Sequence, residues 1–153
     1  MSYSKERQHK IVVLLLILCL IVLAYFLLLS PLFRSYDLPD DYDTLNLVPF
    51  REIGRFITKR SEIGVWGAFS NLAGNILAFI PLGFLLPAAC MFMRKAYRTI
   101  LAGLLVSMAG EILQYVFAVG VCDIDDMILN TAGTAIGYAV FAAVKKIRRR
   151  KIG

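Results

Sequence analysis

Histidine occurs once in these 153 residues, tryptophan once and cysteine three times. That scarcity removes most zinc chemistry, because zinc sites are built from several His and Cys ligands. His9 stands in a basic N-terminal segment, KERQHK, where a solvated surface suits it better than a ligand role. Cys19, Cys90 and Cys122 fall at different expected depths and no CxxC occurs, so no disulfide within the chain is expected. There is no G-x-S-x-G nucleophile elbow and no Walker A phosphate loop. Acids are also few, 11 against 17 Lys and Arg, for a net charge of +6.

Apolar residues are abundant: 59% of the chain is hydrophobic and the mean hydropathy is +0.70, beyond an ordinary soluble domain. Four stretches are long enough to span a bilayer, at about Ile11–Leu29, Phe69–Met93, Thr99–Val119 and Met127–Val144. The first has a basic start, but its apolar core is too long for a signal peptide and no A-x-A-like site follows, so it reads as a retained anchor. With the N-terminus inside, twelve of the 17 basic residues and only one acid, Glu6, fall in inner segments. Nine of the 11 acids then fall outside, and this asymmetry predicts both termini in the cytoplasm. The expectation is an all-α, four-helix membrane bundle, multi-pass in a bacterial cytoplasmic membrane. The basic tail KKIRRRK meets anionic headgroups at a helix end, and the charge requires no nucleic acid.

The predicted organisation has four parts: an N-terminus and anchor over 1–29, an outer loop over 30–67, a three-helix core over 68–144, and a basic tail over 145–153. The loop begins acidic and turn-rich (RSYDLPDDYDT), then turns amphipathic in NLVPFREIGRFITKR. There Phe50, Ile53, Phe56 and Ile57 fall at helical spacing, opposite Arg51, Glu52, Arg55, Lys59 and Arg60. This predicts a short helix, either lying on the outer leaflet or packed on the bundle. Trp66 sits where an interfacial aromatic belongs. Pro81 and Pro87 predict a kink and then an end of the second span. Asn71–Phe79 and Asn130–Tyr138 match faintly, each with a small-xxx-small pair, Gly74/Ala78 and Gly133/Gly137. Duplication and convergent packing both account for the match, and Gly133/Gly137 offers a face for a homo-oligomer.

Glu111 is the one acid in the run from Thr99 to Val119, and a carboxylate at membrane depth costs at least ~2.5 kcal/mol to insert. Ser107, Glu111 and Gln114 share a helical face with Gly103 and Gly110. Two other segments carry polar faces, Asn71 and Asn75 on one, Asp123, Asp126, Asn130 and Thr134 on the other. At the helical rise, Asn75 lies about 9 Å, Glu111 about 12 Å and Asn130 about 6 Å from the outer end of its span. One polar cavity open to the outer leaflet is therefore expected, lined by Asn71, Asn75, Glu111, Gln114, Asp123, Asp126 and Asn130. Glu111 and Asp126, two carboxyl groups in different surroundings, are the candidates for an acid/base pair. The clustered oxygens also suit Mg²⁺ or Ca²⁺, whereas no nearby histidine or cysteine is expected to hold zinc. A purely structural alternative stays open: the amides and hydroxyls as interhelical glue, and Asp123, Asp125 and Asp126 as caps of the fourth helix.

NLVPFREI (Asn46–Ile53), SNLAGNILAFIPLGFLLP (Ser70–Pro87), EILQ (Glu111–Gln114) and DIDDMILNTAGTAIGY (Asp123–Tyr138), in that order, resemble the VanZ-like family. The resemblance covers about Leu45 to Ala143. It implies a small bacterial integral membrane protein without an assigned cofactor, whose founding member is associated with low-level resistance to teicoplanin but not to vancomycin. One departure stands out. The family pattern G-R-x-x-D-x-D-D places an Arg just before the acids, whereas Val119–Cys122 carries no basic residue. Arg51 and Arg55 of the outer loop are the candidates to replace it.

Two functions follow for different reasons. A binding protein would hold a lipid-linked envelope precursor or a lipid-bearing glycopeptide in the outer cavity. An intramembrane enzyme would use Glu111 and Asp126 on a lipid or envelope precursor. A proton-coupled transporter ranks below both, because four helices would have to oligomerise to form a pathway.

Overall fold

The computed structural model describes residues 3–29, 45–58, 65–117 and 121–152. Helix α1 covers Tyr3–Ala24 and runs on through a π-helical turn, Tyr25–Leu29. Strand β1 is Leu45–Asn46 and helix α2 Arg51–Thr58. Helix α3, Val65–Ala89, is followed by a 3₁₀ turn, Met91–Arg94. Helix α4 covers Ala96–Val116, strand β2 Cys122–Asp123, and helix α5 Ile124–Ile152.

Among the described residues, four helices are long and apolar enough to cross a membrane, over Glu6–Leu27, Leu72–Ala89, Ala96–Val116 and Ile124–Arg150. Their surroundings agree with that. Leu14, Ile17, Leu18 and Ile21 of α1, Leu101, Leu105 and Ile112 of α4, and Ile136 and Val140 of α5 are exposed. Among the described residues the buried apolar side chains are Leu23, Phe79, Leu82, Pro87 and Cys122, whereas nine polar or charged residues are buried. Water favours the opposite arrangement. A hydrocarbon solvent favours this one, since it solvates the apolar outside and forces polar groups inward to find partners. The chain is a multi-pass, all-α membrane bundle.

The centre of that bundle is the contact between α3 and α5. They pack in parallel, and the seam is made by glycine: a Cβ on Gly133 would strike the Ile76 carbonyl, and one on Gly137 the Ile80 carbonyl. From the other side, Gly83 lies against the backbone of Thr134. Close backbone approach of this kind drives association where lipid removes the hydrophobic contribution. The Gly133/Gly137 pair is therefore covered within the chain and does not present the oligomer face expected from sequence. Gly74, its counterpart in the faint repeat, has open space where its Cβ would stand, so the two pairs do not pack alike. Helix α1 leans on α3 through Leu23, which is buried with Phe79 and Leu82.

Helix α3 passes through both prolines and stops at Ala89, two residues beyond Pro87. Helix α5 outruns its expected apolar span because the basic residues that follow are good helix formers and extend it to Ile152. Helix α2 packs against α3 and α5. The acidic segment 34–44, Lys59 and Arg60, and the side chains of Glu52, Phe56, Ile57, Trp66 and Asn71 lie outside the described residues.

Gly137→Leu must push α3 and α5 apart. Thermal unfolding in detergent, followed by circular dichroism, should show a loss of about 1–3 kcal/mol. Gly74→Ala, facing open space, should be neutral or stabilising by up to ~1 kcal/mol, the difference in helix propensity.

Candidate functional site

At one end of the bundle the chain ties together residues far apart in sequence. Strands β1 and β2 pair in parallel, Leu45 with Cys122 and Asn46 with Asp123. This short ladder brings the segment before α2 onto the turn between α4 and α5. Glu111, only 1% exposed, points into that junction from α4. Its Oε2 accepts the backbone N–H of Asp123 at 2.9 Å.

The three acids at the start of α5 then act on four elements, α5 itself, β1, α2 and α3. Asp123 Oδ1 accepts the Asp125 N–H at 2.8 Å, in the manner of an N-cap of α5, and also the Asn46 side-chain amide at 3.1 Å. Asp125 turns away from its own helix. Its two carboxylate oxygens accept the Phe50 N–H at 2.5 Å and the Ile53 N–H at 3.1 Å, capping α2. Phe50 has φ of 65°, a conformation that costs a bulky residue about 1 kcal/mol or more, and the bond to Asp125 holds it there. Asp126 accepts the side-chain amide of Asn75 from α3. Capping of α5 thus holds for Asp123, whereas Asp125 and Asp126 reach other elements.

Deeper in the bundle the polar groups join helices. Asn130 Nδ2 donates to Ser107 Oγ at 2.8 Å, linking α5 to α4, and Thr134 Oγ1 donates back to the Asn130 carbonyl at 3.0 Å. Gln114 Nε2 donates to the Leu27 carbonyl at 2.5 Å in the π-helical turn after α1. Gly110 allows that approach, because a Cβ there would press on the Leu27 side chain. Among the described residues, not every buried atom finds a partner: Asn46 Oδ1 and Asn130 Oδ1 are buried with no donor among them. A buried unsatisfied acceptor costs about 1–3 kcal/mol.

The structure therefore brings Asn75, Glu111, Asp123, Asp126 and Asn130 to one end, with Gln114 turned toward α1, and the Asn71 side chain lies outside the described residues. Asn46, Ser107 and Asp125 join them, and sequence reasoning had not counted Asn46 or Asp125 as site residues. Cys122 corrects the expectation that no cysteine lies nearby: it is buried on β2, where burial first, then the charges of Glu111 and Asp123, push its thiol up. Burial likewise pushes the Asp123 carboxyl above the ordinary range, outweighing the bonds from the Asp125 amide and Asn46. The charge of Asp125 adds to that rise and the charge of Arg55 opposes it, so the Arg55 side chain acts on this cluster. Among the described residues, no three His, Cys, Asp or Glu side chains are arranged to hold a metal ion.

Comparison with known proteins adds a family. The VanZ/LLP1 family profile matches residues 13–145. A curated relative, Protein VanZ of Enterococcus faecium, is 32% identical over 109 residues, covering 71% of this chain and 58% of that protein. The chain thus spans less than two thirds of that relative's length. No solved structure matches.

Asp125→Ala should loosen α2 without disturbing the seam between α3 and α5. Amide exchange should accelerate over residues 50–58, with a stability loss of about 0.5–2 kcal/mol for the lost cap. The sign of the pH effect follows from Asp123. Because its folded carboxyl binds a proton more tightly than in the unfolded chain, its contribution favours folding at low pH and declines as pH rises from ~4 through the raised folded value. The thermal midpoint of Asp123→Asn should lack that part of the slope.

Proposed function

The chain belongs to the VanZ/LLP1 family, and from that premise we propose that it works at the bacterial cell envelope as a binding protein. In this reading its acidic end faces outward, with both termini in the cytoplasm. There a polar cavity at outer-leaflet depth receives a lipid-linked envelope component or a lipid-bearing glycopeptide of the teicoplanin type. The charge asymmetry along the chain supports the orientation. The observation that carries the binding reading is the pair of buried amide oxygens, Asn46 Oδ1 and Asn130 Oδ1, which find no donor among the described residues. Peptides and sugars supply N–H and O–H donors in abundance, and a lipid tail beside them would stay in the bilayer. Teicoplanin carries an acyl chain and vancomycin does not, so a site within the bilayer distinguishes them.

The enzyme reading draws on a different observation: Asp123 and Asp126 both lie within electrostatic range of Glu111. Against it, one Glu111 oxygen already accepts a backbone N–H, a holding role that a glutamine oxygen can also fill.

Susceptibility of cells lacking the protein, complemented with wild type, Glu111→Gln or Asp126→Asn at matched membrane levels, separates these readings. Binding predicts selective teicoplanin protection that Glu111→Gln weakens and Asp126→Asn, which loosens the hold on Asn75, reduces further. An enzyme predicts complete loss with Glu111→Gln, together with altered lipid or muropeptide species. No protection from the wild type would remove the drug from the proposal.

A further inference from the structure

The opposite end of the bundle carries a second concave feature with different chemistry. The 3₁₀ turn after α3 folds back against the second half of α5, and the Tyr138 hydroxyl at the middle of that helix donates to the Arg94 carbonyl at 2.8 Å. Arg94 Nε in turn donates to the Pro87 carbonyl at 3.4 Å, fixing the side chain beside the end of α3. Between these elements lies a cavity of about 400 Å³. Five cations line it, Arg94 from the turn and Lys145, Lys146, Arg149 and Arg150 from α5, and no acid does. Its remaining walls are Tyr138, Phe141 and Ala142.

A bland account exists for part of this. Cations near a helix C-terminus are favoured by the helix dipole, and basic residues at a membrane face attract anionic lipid without any pocket. Neither explains the arrangement. Lys145 and Arg149, and Lys146 and Arg150, stand four residues apart, a spacing at which like charges on a helix repel. Arg94 is brought into the same group from another element by two hydrogen bonds. Phe141 is set edge-on to Phe84 at 6.1 Å and has the Lys145 ammonium over its ring at 5.8 Å, so the apolar wall is built into the bundle. A group of cations held together on an apolar wall is stabilised by a bound anion. Guanidinium forks match phosphate oxygens in pairs.

We propose that this cavity binds the phosphodiester headgroup of an anionic membrane phospholipid, with the cations on the phosphate and the aromatic wall beside the glycerol and upper acyl chain. The position supports a lipid over a free ion: the cavity sits where the candidate spans Leu72–Ala89 and Ile124–Arg150 end, at headgroup depth. The site is independent of the acidic end and of the function proposed for it.

The test is a titration of the full chain in mixed micelles with fluorescent phosphatidylglycerol, with phosphatidylcholine and inorganic phosphate as comparison probes. Arg94→Gln/Arg149→Gln and Lys146→Gln/Arg150→Gln each remove two cavity charges, and all four residues are exposed. Arg7→Gln/Arg148→Gln removes the same charge from residues that do not line the cavity. The expected result is phosphatidylglycerol binding weakened about a hundredfold by either cavity pair, through loss of two charge-assisted bonds, with a clearly smaller change from the control pair and no binding of phosphatidylcholine. Equal loss from the control pair would reduce the effect to surface attraction and overturn the site. Displacement of the lipid by inorganic phosphate at comparable affinity would overturn the lipid assignment.

Discussion

Glu111 Oε2 accepts the Asp123 amide at 2.9 Å, and the acidic end of the bundle is assembled outward from that bond. The donor belongs to the turn that joins α4 to α5, so the carboxylate fixes where α5 begins. Once Asp123 is placed, its own side chain caps α5 and receives Asn46, which brings β1 alongside β2. Asp125 then lies within reach of the first amides of α2, and Asp126 within reach of Asn75 on α3. Removing the Glu111 acceptor would leave a buried N–H without a partner at the root of this series, the kind of group folded proteins rarely tolerate. A charged acceptor also makes the stronger bond, which gives one reason for an acid where an amide would satisfy the geometry.

A second constraint comes from the bilayer, and the chain meets it with two kinds of helix contact. Between α3 and α5 the contact, apart from the Asn75–Asp126 bond at one end, is made of absent side chains: Gly83, Gly133 and Gly137 let the backbones approach where any Cβ would intrude. Between α4 and its neighbours hydrogen bonds, from Asn130 to Ser107 and from Gln114 to the Leu27 carbonyl, accompany glycine approaches of Gly103 to Thr134 and Gly110 to Leu27. The first kind leaves no polar group behind. The second leaves a remainder, because an amide has more hydrogen-bonding capacity than one partner can fill. Asn130 Oδ1 is that remainder in the interior and Asn46 Oδ1 is its counterpart at the strand pair. Hydrogen-bonded contacts thus leave spare acceptor capacity in the interior, and glycine contacts leave none.

Much of this was legible in the sequence, and the illegible part has one physical source. Apolar length alone marked the four spans, and helical spacing put Ser107, Glu111 and Gln114 on one face, all three of which are buried. What spacing cannot supply is a partner 70 or more residues away. Asn46 meets Asp123 across 77 positions, and Phe50 meets Asp125 across 75. From sequence, Asp125 reads as a cap for the helix it begins, since local capping is the common use of an acid there. The competing donors on α2 become visible only when β1 pairs with β2. Cys122 is a different case, since it stands next to Asp123 in the sequence and its nearness to the acids was legible there. The glycine pair at 133 and 137 was recognisable as a close-packing motif, but the motif does not say whether the partner helix belongs to the same chain.

The missing arginine of the acidic motif is a case where the fold answers a question that the motif raises. A basic group directly before three clustered acids has an evident electrostatic use, since it offsets the repulsion that builds when carboxylates gather in a low-dielectric place. Val119–Cys122 supplies none. Helix α2 does supply one. The cap that Asp125 places on its first turn anchors α2 over the start of α5, and Arg55, one turn along that helix, then lowers the cost of charge on Asp123. Asp123 therefore depends on Asp125 through Arg55: Asp125 docks the helix that carries the cation, and the cation eases the charge on Asp123. A substitution that undocks α2 removes both a cap and a counter-charge, so the segment 45–58 belongs to the site as fully as the spans do.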